Sequence, residues 1–470
     1  MTSEIEKVAK RADDEFERAV DRLSAFLRIP AISCDKSHHA DVRKLAGEVK
    51  ASFEALGFAN ARLLDLPDAL PCVAAEWMNA GPDAPTLLIY GHLDLQPVKG
   101  EVWDTPPHEP TRKQTPRGER LYARGAADDM GGWVSWLAAF EAYFHVSKRL
   151  PCNVRILIEG EEEIGSPNLE RFMDAFPEAF AADAMVLTDC ENPSVDIPGL
   201  TVSLRGLLDV SVVCESATSD VHSGLWGNVV PDPAMSLVKI LSRLVDDDGR
   251  MKLLRRPVDP AWLAASRDVP LTREVIRRGA HLVDGVEPLP DRELSPAAWM
   301  WRQPAVTILS TTFPLPGSEK NAVRGKSSVR LSVRLAPGQT KDEMMAALEE
   351  TLTKDVPGGI RVSVTCHDGS AMSWDYQTKG PAFDAADRAY ARAWGKTPIR
   401  VGVGGSIPFV ALFGRKFVGL PLILNGVMDP ETTAHGPNES MHLGVFKKAI
   451  AANVHLLDEL SRVPPKSMRT

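Results

Sequence analysis

Four short apolar runs constrain this chain most, because each is too short for a helix and each leads into a histidine or an acid. They lie at 86–90, 154–158, 185–187 and 418–424. Their Leu, Ile and Val content suits strands buried on both faces, as in a sheet covered by helices. The first runs into Gly91, His92, Leu93 and Asp94, and the second into Glu161, Glu162 and Glu163. The third ends at Asp189, and the fourth precedes a Gly/Pro loop that holds His435. Helical patterns stand beside these runs at 4–28, where Phe16, Val20, Leu23 and Leu27 recur at helical spacing, at 41–57 and at 133–144. Strands alternating with helices predict an α/β domain with a mostly parallel sheet.

The chain has 470 residues, more than the roughly 250–300 at which single cores stop growing. Two domains are therefore expected. The pattern changes after about residue 205. LLDVSVVC and VRLSVRLAPG alternate with the period of half-buried strands, and helices are expected at 233–245 and over DEMMAALEETL. This predicts an inserted α+β domain with an antiparallel sheet at 206–378. Segments 1–205 and 379–470 would together form the catalytic domain, the latter opening with a helix and closing with another at 442–461.

The net charge of -9 argues against a nucleic-acid partner, which calls for a basic face. No apolar run is long enough to span a bilayer, and the charged first 23 residues do not read as a signal peptide. Six scattered cysteines without a C-x-x-C pair suit free thiols in a reducing compartment. A cytoplasmic protein without a membrane partner is expected.

The acids and histidines at the strand ends invite a metal. Ligands of α/β sheets bind at the carboxyl ends of strands, which is where His92 falls, and Asp94 two residues on could hold its other ring nitrogen. In LYARGAADDMGG, Gly125 permits a tight turn, and Asp128 and Asp129 follow just before a helix. Three adjacent glutamates at the end of a buried strand repel one another, a cost that a cation relieves. Each segment alone has an ordinary reading, as a turn histidine, a helix cap or a solvated acidic turn. Taken together, histidine and carboxylate ligands without cysteine suit zinc, manganese or cobalt.

With these segments in view, the sequence resembles the co-catalytic metallopeptidases that include carnosine dipeptidase, glutamate carboxypeptidase, aminoacylase and succinyl-diaminopimelate desuccinylase. The resemblance covers roughly 15–460 and rests on GHLDLQPV, YARGAADD, EGEEEIGS, LTD, DVHSG, VRLSVRLAP, GGSIP and AHGPNE, in that order. It implies two divalent metal ions per subunit, most simply Zn2+. His92, Asp128 and Asp189 would hold one, and Asp128, Glu163 and His435 the other, with Asp128 bridging. Glu162 would be the general base, Glu161 would fall on the variable position, and Asp94 would orient His92. His222 would stabilise the oxyanion from across a dimer, making the insert a lid and dimerisation domain. Asn321, Arg334 and Ser406 would bind substrate, and the peptide bond from Asp128 to Asp129 would be cis.

Two positions depart from the family pattern. Met130 stands where a lysine is usual, and Val403 replaces an acid that lies near the substrate in the dipeptidase branch. The expected activity is cleavage of an amide bond in a dipeptide or similar small substrate by an activated water. The alternatives are an N-acyl-amino-acid amidohydrolase and a metal-binding scaffold without activity. Retention of Glu162 speaks against the scaffold.

Overall fold

The computed structural model describes residues 3–313, 317, 319–367, 369, 371–376, 378–405 and 408–468. The chain forms two compact units. One comprises Met1–Val202, Gln377–Val401 and Leu412–Thr470; the other comprises Ser203–Tyr376 and Gly402–Ala411.

The first unit is built on β1 (Ala59–Leu64), β2 (Cys72–Trp77), β3 (Thr86–His92), β4 (Asn153–Glu159), β5 (Ala184–Leu187), β6 (Gly199–Leu204) and β7 (Leu422–Leu424). Their order across the sheet is β1-β2-β4-β3-β5-β7-β6. The central four, β4, β3, β5 and β7, are parallel. The flanking pairs are antiparallel, so the sheet is mixed, with its parallel part in the middle. Every residue of β3 after Thr86 is buried, as is all of β5. That two-sided burial is why these strands read as unbroken apolar runs. The helix Met130–Val146 is buried from Met130 to Tyr143 on all sides. It lies between β3 and the long helix Leu443–Ser461, as a helix without a polar face must.

Two expectations need correction. The strand expected over 418–424 is only Leu422–Leu424. Val418 is 79% exposed and Gly419 takes a φ of 77°. Pro421 has no N–H to donate and contributes only its carbonyl, to the Met185 amide at 2.9 Å. The first helical stretch is two helices, Glu4–Asp14 and Phe16–Leu27, separated at Glu15.

The second unit has a four-stranded antiparallel sheet in the order Ala305–Thr311, Lys326–Leu335, Gly206–Glu215, Arg361–Cys366. Burial alternates strictly along Gly206–Glu215. Leu208, Val210 and Val212 meet Leu237 and Ile240 from one helix and Met344 and Leu348 from another in a single core. The polar stretch before residue 300 carries three short helices, Pro260–Ala265, Arg273–Gly279 and Pro296–Arg302. Among the described residues no helix is long and apolar enough to cross a membrane.

Candidate metal centre

Parallel pairing in register brings the strand ends level. His92 lies opposite Glu159, and Tyr90 opposite Leu187. The residues just beyond, Glu161 to Glu163 after β4 and Asp189 after β5, therefore reach the same edge as His92. Asp128 comes from the loop before the buried helix, and its peptide bond to Asp129 is cis. His435 arrives from the loop that follows β7, with a φ of 63°.

Two sets of three ligand atoms result. His92, Asp128 and Asp189 form one, and Asp128, Glu163 and His435 the other, each set lying within 4.8 Å of itself. The two oxygens of Asp128 face different sets. Oδ1 is 3.1 Å from His92 Nε2, and Oδ2 is 3.0 Å from His435 Nε2. Asp189 Oδ2 lies 3.9 Å from His92 Nε2, and Glu163 Oε2 lies 3.3 Å from His435 Nε2. Glu162 sits beside both sets, in the short turn after β4.

The charges in this group do not balance without a cation. Burial pushes Glu162 up to about 7 and Glu163 up to about 9, and it also raises Asp189 well above the ordinary range. The neighbouring Asp128 charge adds to each of these shifts. Burial would raise Asp128 as well, but its hydrogen bonds to His435 and His92 more than offset this and hold it low. Carboxylates gathered this closely cannot all stay ionised unless positive charge joins them. Oxygen and imidazole donors in two sets of three fit a pair of divalent cations. The site is a dinuclear divalent-metal site.

The surrounding shell holds residues whose roles the sequence did not reveal. The Asp94 carboxylate accepts the backbone N–H groups of Glu162 at 3.1 Å and Glu163 at 3.0 Å. His92 Nδ1 is closer to the Asp94 carbonyl, at 3.1 Å, than to its carboxylate, at 3.6 Å. Asp94 therefore steadies the Glu162–Glu163 turn as well as the imidazole. Glu161 points away: its oxygens accept Leu70 N–H and Asn168 Nδ2–H, both at 2.8 Å. Gln96 donates to Glu163 Oε2 at 2.7 Å. Asp129, fully buried, accepts the Thr188 hydroxyl at 2.7 Å and the His92 N–H at 3.2 Å. Gly91 leaves room for it, since a Cβ there would stand 2.5 Å from Asp129 Oδ2.

Glu439 is the most consequential of these residues. It accepts N–H groups from Gly125, Ala127 and Asp128 at 3.0, 3.1 and 3.2 Å, and pairs with the buried Arg124 at 3.0 Å. The loop that presents Asp128 is thus wrapped around one carboxylate. Its only signal in the sequence was its place at the end of AHGPNE.

The remaining expected site residues lie in the second unit. His222 is exposed, and its Nδ1 accepts the Gly224 N–H at 3.0 Å, capping a four-residue helix. A two-stranded ribbon pairs His222 with Ala322, and the neighbouring Asn321 carbonyl accepts the Ser223 N–H at 3.0 Å. Arg334 lies half-buried on Lys326–Leu335. Ser406 lies outside the described residues.

An α/β sheet whose parallel strands end in two ligand sets sharing one carboxylate, with a further glutamate alongside, defines a dinuclear metal-dependent hydrolase. Peptidase family M20/M25/M40 matches residues 88–459, and the chain belongs to that family. It is 30% identical over 407 residues to a cysteinylglycine-S-conjugate dipeptidase of Corynebacterium striatum, covering 86% of this chain and 87% of that one. It is 28% identical over 484 residues to a Cys-Gly metallodipeptidase of Schizosaccharomyces pombe, covering 99% and 100%. Human carnosine dipeptidase 1 shares the fold with a TM-score of 0.77 at 23% identity, over 98% of this chain and 100% of that one. An M20 metallo-carboxypeptidase of Sulfolobus solfataricus has a TM-score of 0.77 at 25% identity, over 95% and 99%.

Proposed function

We propose that this enzyme is a dipeptidase, cleaving the amide bond of a dipeptide or a similar small peptide with a free terminal carboxylate. The observation that carries the reading is Asp128, one carboxylate turned toward two ligand sets with Glu162 beside them. Relatives that cover nearly the whole chain and are named as dipeptidases support the substrate class.

His92, Asp128 and Asp189 would hold one cation and Asp128, Glu163 and His435 the other, with zinc the first choice and manganese or cobalt also suited to these donors. Bound there, the pair would polarise the scissile carbonyl and acidify water. Glu162 would take the proton from water onto its carboxylate and later place it on the departing amine nitrogen. Asp94 would hold Glu162 and Glu163 in place through their backbone N–H groups. His222 would donate to the oxygen that gains charge, and Asn321, Arg334 and Ser406 would bind substrate. An arginine fork suits a carboxylate because it can donate to both oxygens.

The enzyme would work as a cytoplasmic homodimer in which the second unit, 206–378 by its sequence pattern, serves as lid and interface. The six free cysteines suit a reducing compartment. Ala305–Thr311 is an edge strand exposing Ile308 and Leu309, and the helix Pro233–Leu241 exposes Met235 and Val238. Apolar side chains on an open edge are what a second copy would cover.

A second reading, an N-acyl-amino-acid amidohydrolase, is favoured by Val403, which offers no charge to a free substrate amine. A panel of dipeptides set against N-acyl amino acids, assayed with metal-loaded enzyme, separates the two. Dipeptide turnover with little N-acyl turnover is expected, and the reverse order would replace the first reading with the second.

A further inference from the structure

In the second unit, two guanidinium groups stand together without an acid to neutralise them. On the outward face of the sheet, Arg330 is paired with Asp209 at 2.7 Å. Four residues further along the same face, Arg334 lies opposite Leu207, which offers no charge. Arg205 immediately precedes Gly206, which lies opposite Leu335, so it stands at the end of the sheet where Arg334 lies. Among the described residues neither Arg205 nor Arg334 makes an ion pair, and the Arg334 side chain makes no hydrogen bond. Burial, and then the charge of Arg334, hold Arg205 down at about 10.

Arg205 is nevertheless fixed. Its Nε donates to the Gly404 carbonyl at 2.9 Å, its Nη1 lies 3.5 Å from the Gln303 carbonyl, and its backbone N–H donates to Val403 at 3.3 Å. Gln303 is itself held at both ends of its amide by the Arg256 backbone, at 3.2 and 2.8 Å. A Cβ on Gly404 would come within 2.9 Å of Arg205 Nη2, so the glycine loop lies directly against the guanidinium. Two like charges kept half-buried and close, one of them anchored only by carbonyls, raise the free energy of the empty site. An anion with two planar oxygens relieves that cost.

We propose that Arg205 is a specificity-determining residue of this hydrolase: with Arg334 it forms a two-guanidinium site for the terminal carboxylate of the substrate, and its Nε holds the glycine loop at Gly404 in place for that purpose. The inference rests on the reading of the enzyme as a dipeptidase, and it adds a second charge to the recognition assigned there to Arg334 alone. The planar fork of Arg205 has Nη groups left to donate once Nε is engaged by Gly404.

The test compares a dipeptide bearing a free carboxylate with the same dipeptide as its C-terminal amide. Wild type, Arg205→Met and Arg205→Gln are assayed as metal-loaded full-length enzyme. Wild type should favour the acid. Losing one charged hydrogen bond lowers kcat/KM by roughly 10- to 100-fold, and this loss should fall on the acid, mainly through KM. The amide should change by less than about threefold, in line with an unaltered metal centre. Arg205→Gln keeps a donor for the Gly404 carbonyl without the charge, so it should lose acid preference even if Arg205→Met does not fold. Equal losses on acid and amide in both variants would make Arg205 a purely structural residue and overturn the inference. A wild type that favours the acid alongside variants that keep the full preference would overturn the inference alone. A wild type that cleaves neither substrate would overturn the dipeptidase reading and the inference with it.

Discussion

Replacing Glu439 by glutamine tests how the loop that carries Asp128 is held. In the native enzyme one buried carboxylate serves three backbone donors within 3.2 Å and the Arg124 guanidinium at 3.0 Å. Glutamine has nearly the same shape. Its carbonyl can still accept from Ala127 and Asp128, but its NH2 group then faces the Gly125 N–H and Arg124, a donor against donors. Removing one partner of a buried ion pair costs about 3–5 kcal/mol. Arg124 keeps a second carboxylate, Glu101 at 3.1 Å, which is 21% exposed, so the lower end applies. The Gly125 donor left without a partner adds to this cost, roughly 1 kcal/mol at least. Metal-free Glu439→Gln should therefore lose about 4–5 kcal/mol in urea unfolding. Because the loop then holds Asp128 less firmly, metal affinity in a chelator competition should fall by about 10- to 100-fold. At saturating metal, kcat should recover to within a few-fold of wild type. Unchanged stability and unchanged metal affinity in the variant would refute the claim that Glu439 organises the Asp128 loop.

Glu162→Gln should lower kcat by at least ~10²-fold with metal content unchanged, checked by steady-state kinetics and elemental analysis; if Glu161→Gln is the inactive variant instead, the register of the glutamate run is wrong by one. Gly91→Ala drives a methyl to within 2.5 Å of Asp129 Oδ2; it should destabilise the protein by about 1–3 kcal/mol and weaken metal binding, and a variant with wild-type stability would show that Asp129 is free to move. For the dimer, His222→Ala and Glu162→Gln chains should each be nearly inactive alone and regain activity when mixed, because one site of each heterodimer has both groups; no recovery in a verified heterodimer would place His222 in the service of its own chain.

The parts of this account that were legible in the sequence share one physical origin. β3 and β5 are buried on both faces, and so is β4 except at the half-buried Arg155, so all three read as mainly apolar runs, and an acid or histidine at the end of such a run stands out. The inserted sheet was legible for the complementary reason, since one covered face imposes the alternation seen from Gly206 to Glu215. The antiparallel flanks escaped notice because β1 buries only Leu64, and because β2 and β6, though buried, mix alanine, glycine, serine and threonine among their apolar residues. The break at Glu15 was hidden because the apolar stripe continues through both helices. Gln96, Asp129 and Glu439, and Asp94 in its bonds to Glu162 and Glu163, act by accepting or donating hydrogen bonds to partners brought near by the fold, for Glu439 across more than 300 residues. No spacing or periodicity encodes such a contact. The uncompensated pair Arg205 and Arg334 became visible only once the fold showed which arginines have an acid within reach, as Arg330 has Asp209.

The most direct test of the central claim is to count and locate metal in the active enzyme. Elemental analysis after gentle purification should approach two divalent ions per chain. Anomalous diffraction should place both at the His92–Asp128–Asp189 and Asp128–Glu163–His435 sets with Asp128 between them, and chelation should abolish activity until zinc, manganese or cobalt is restored. Full turnover by protein without metal, or two ions bound elsewhere than on either side of Asp128, would contradict it.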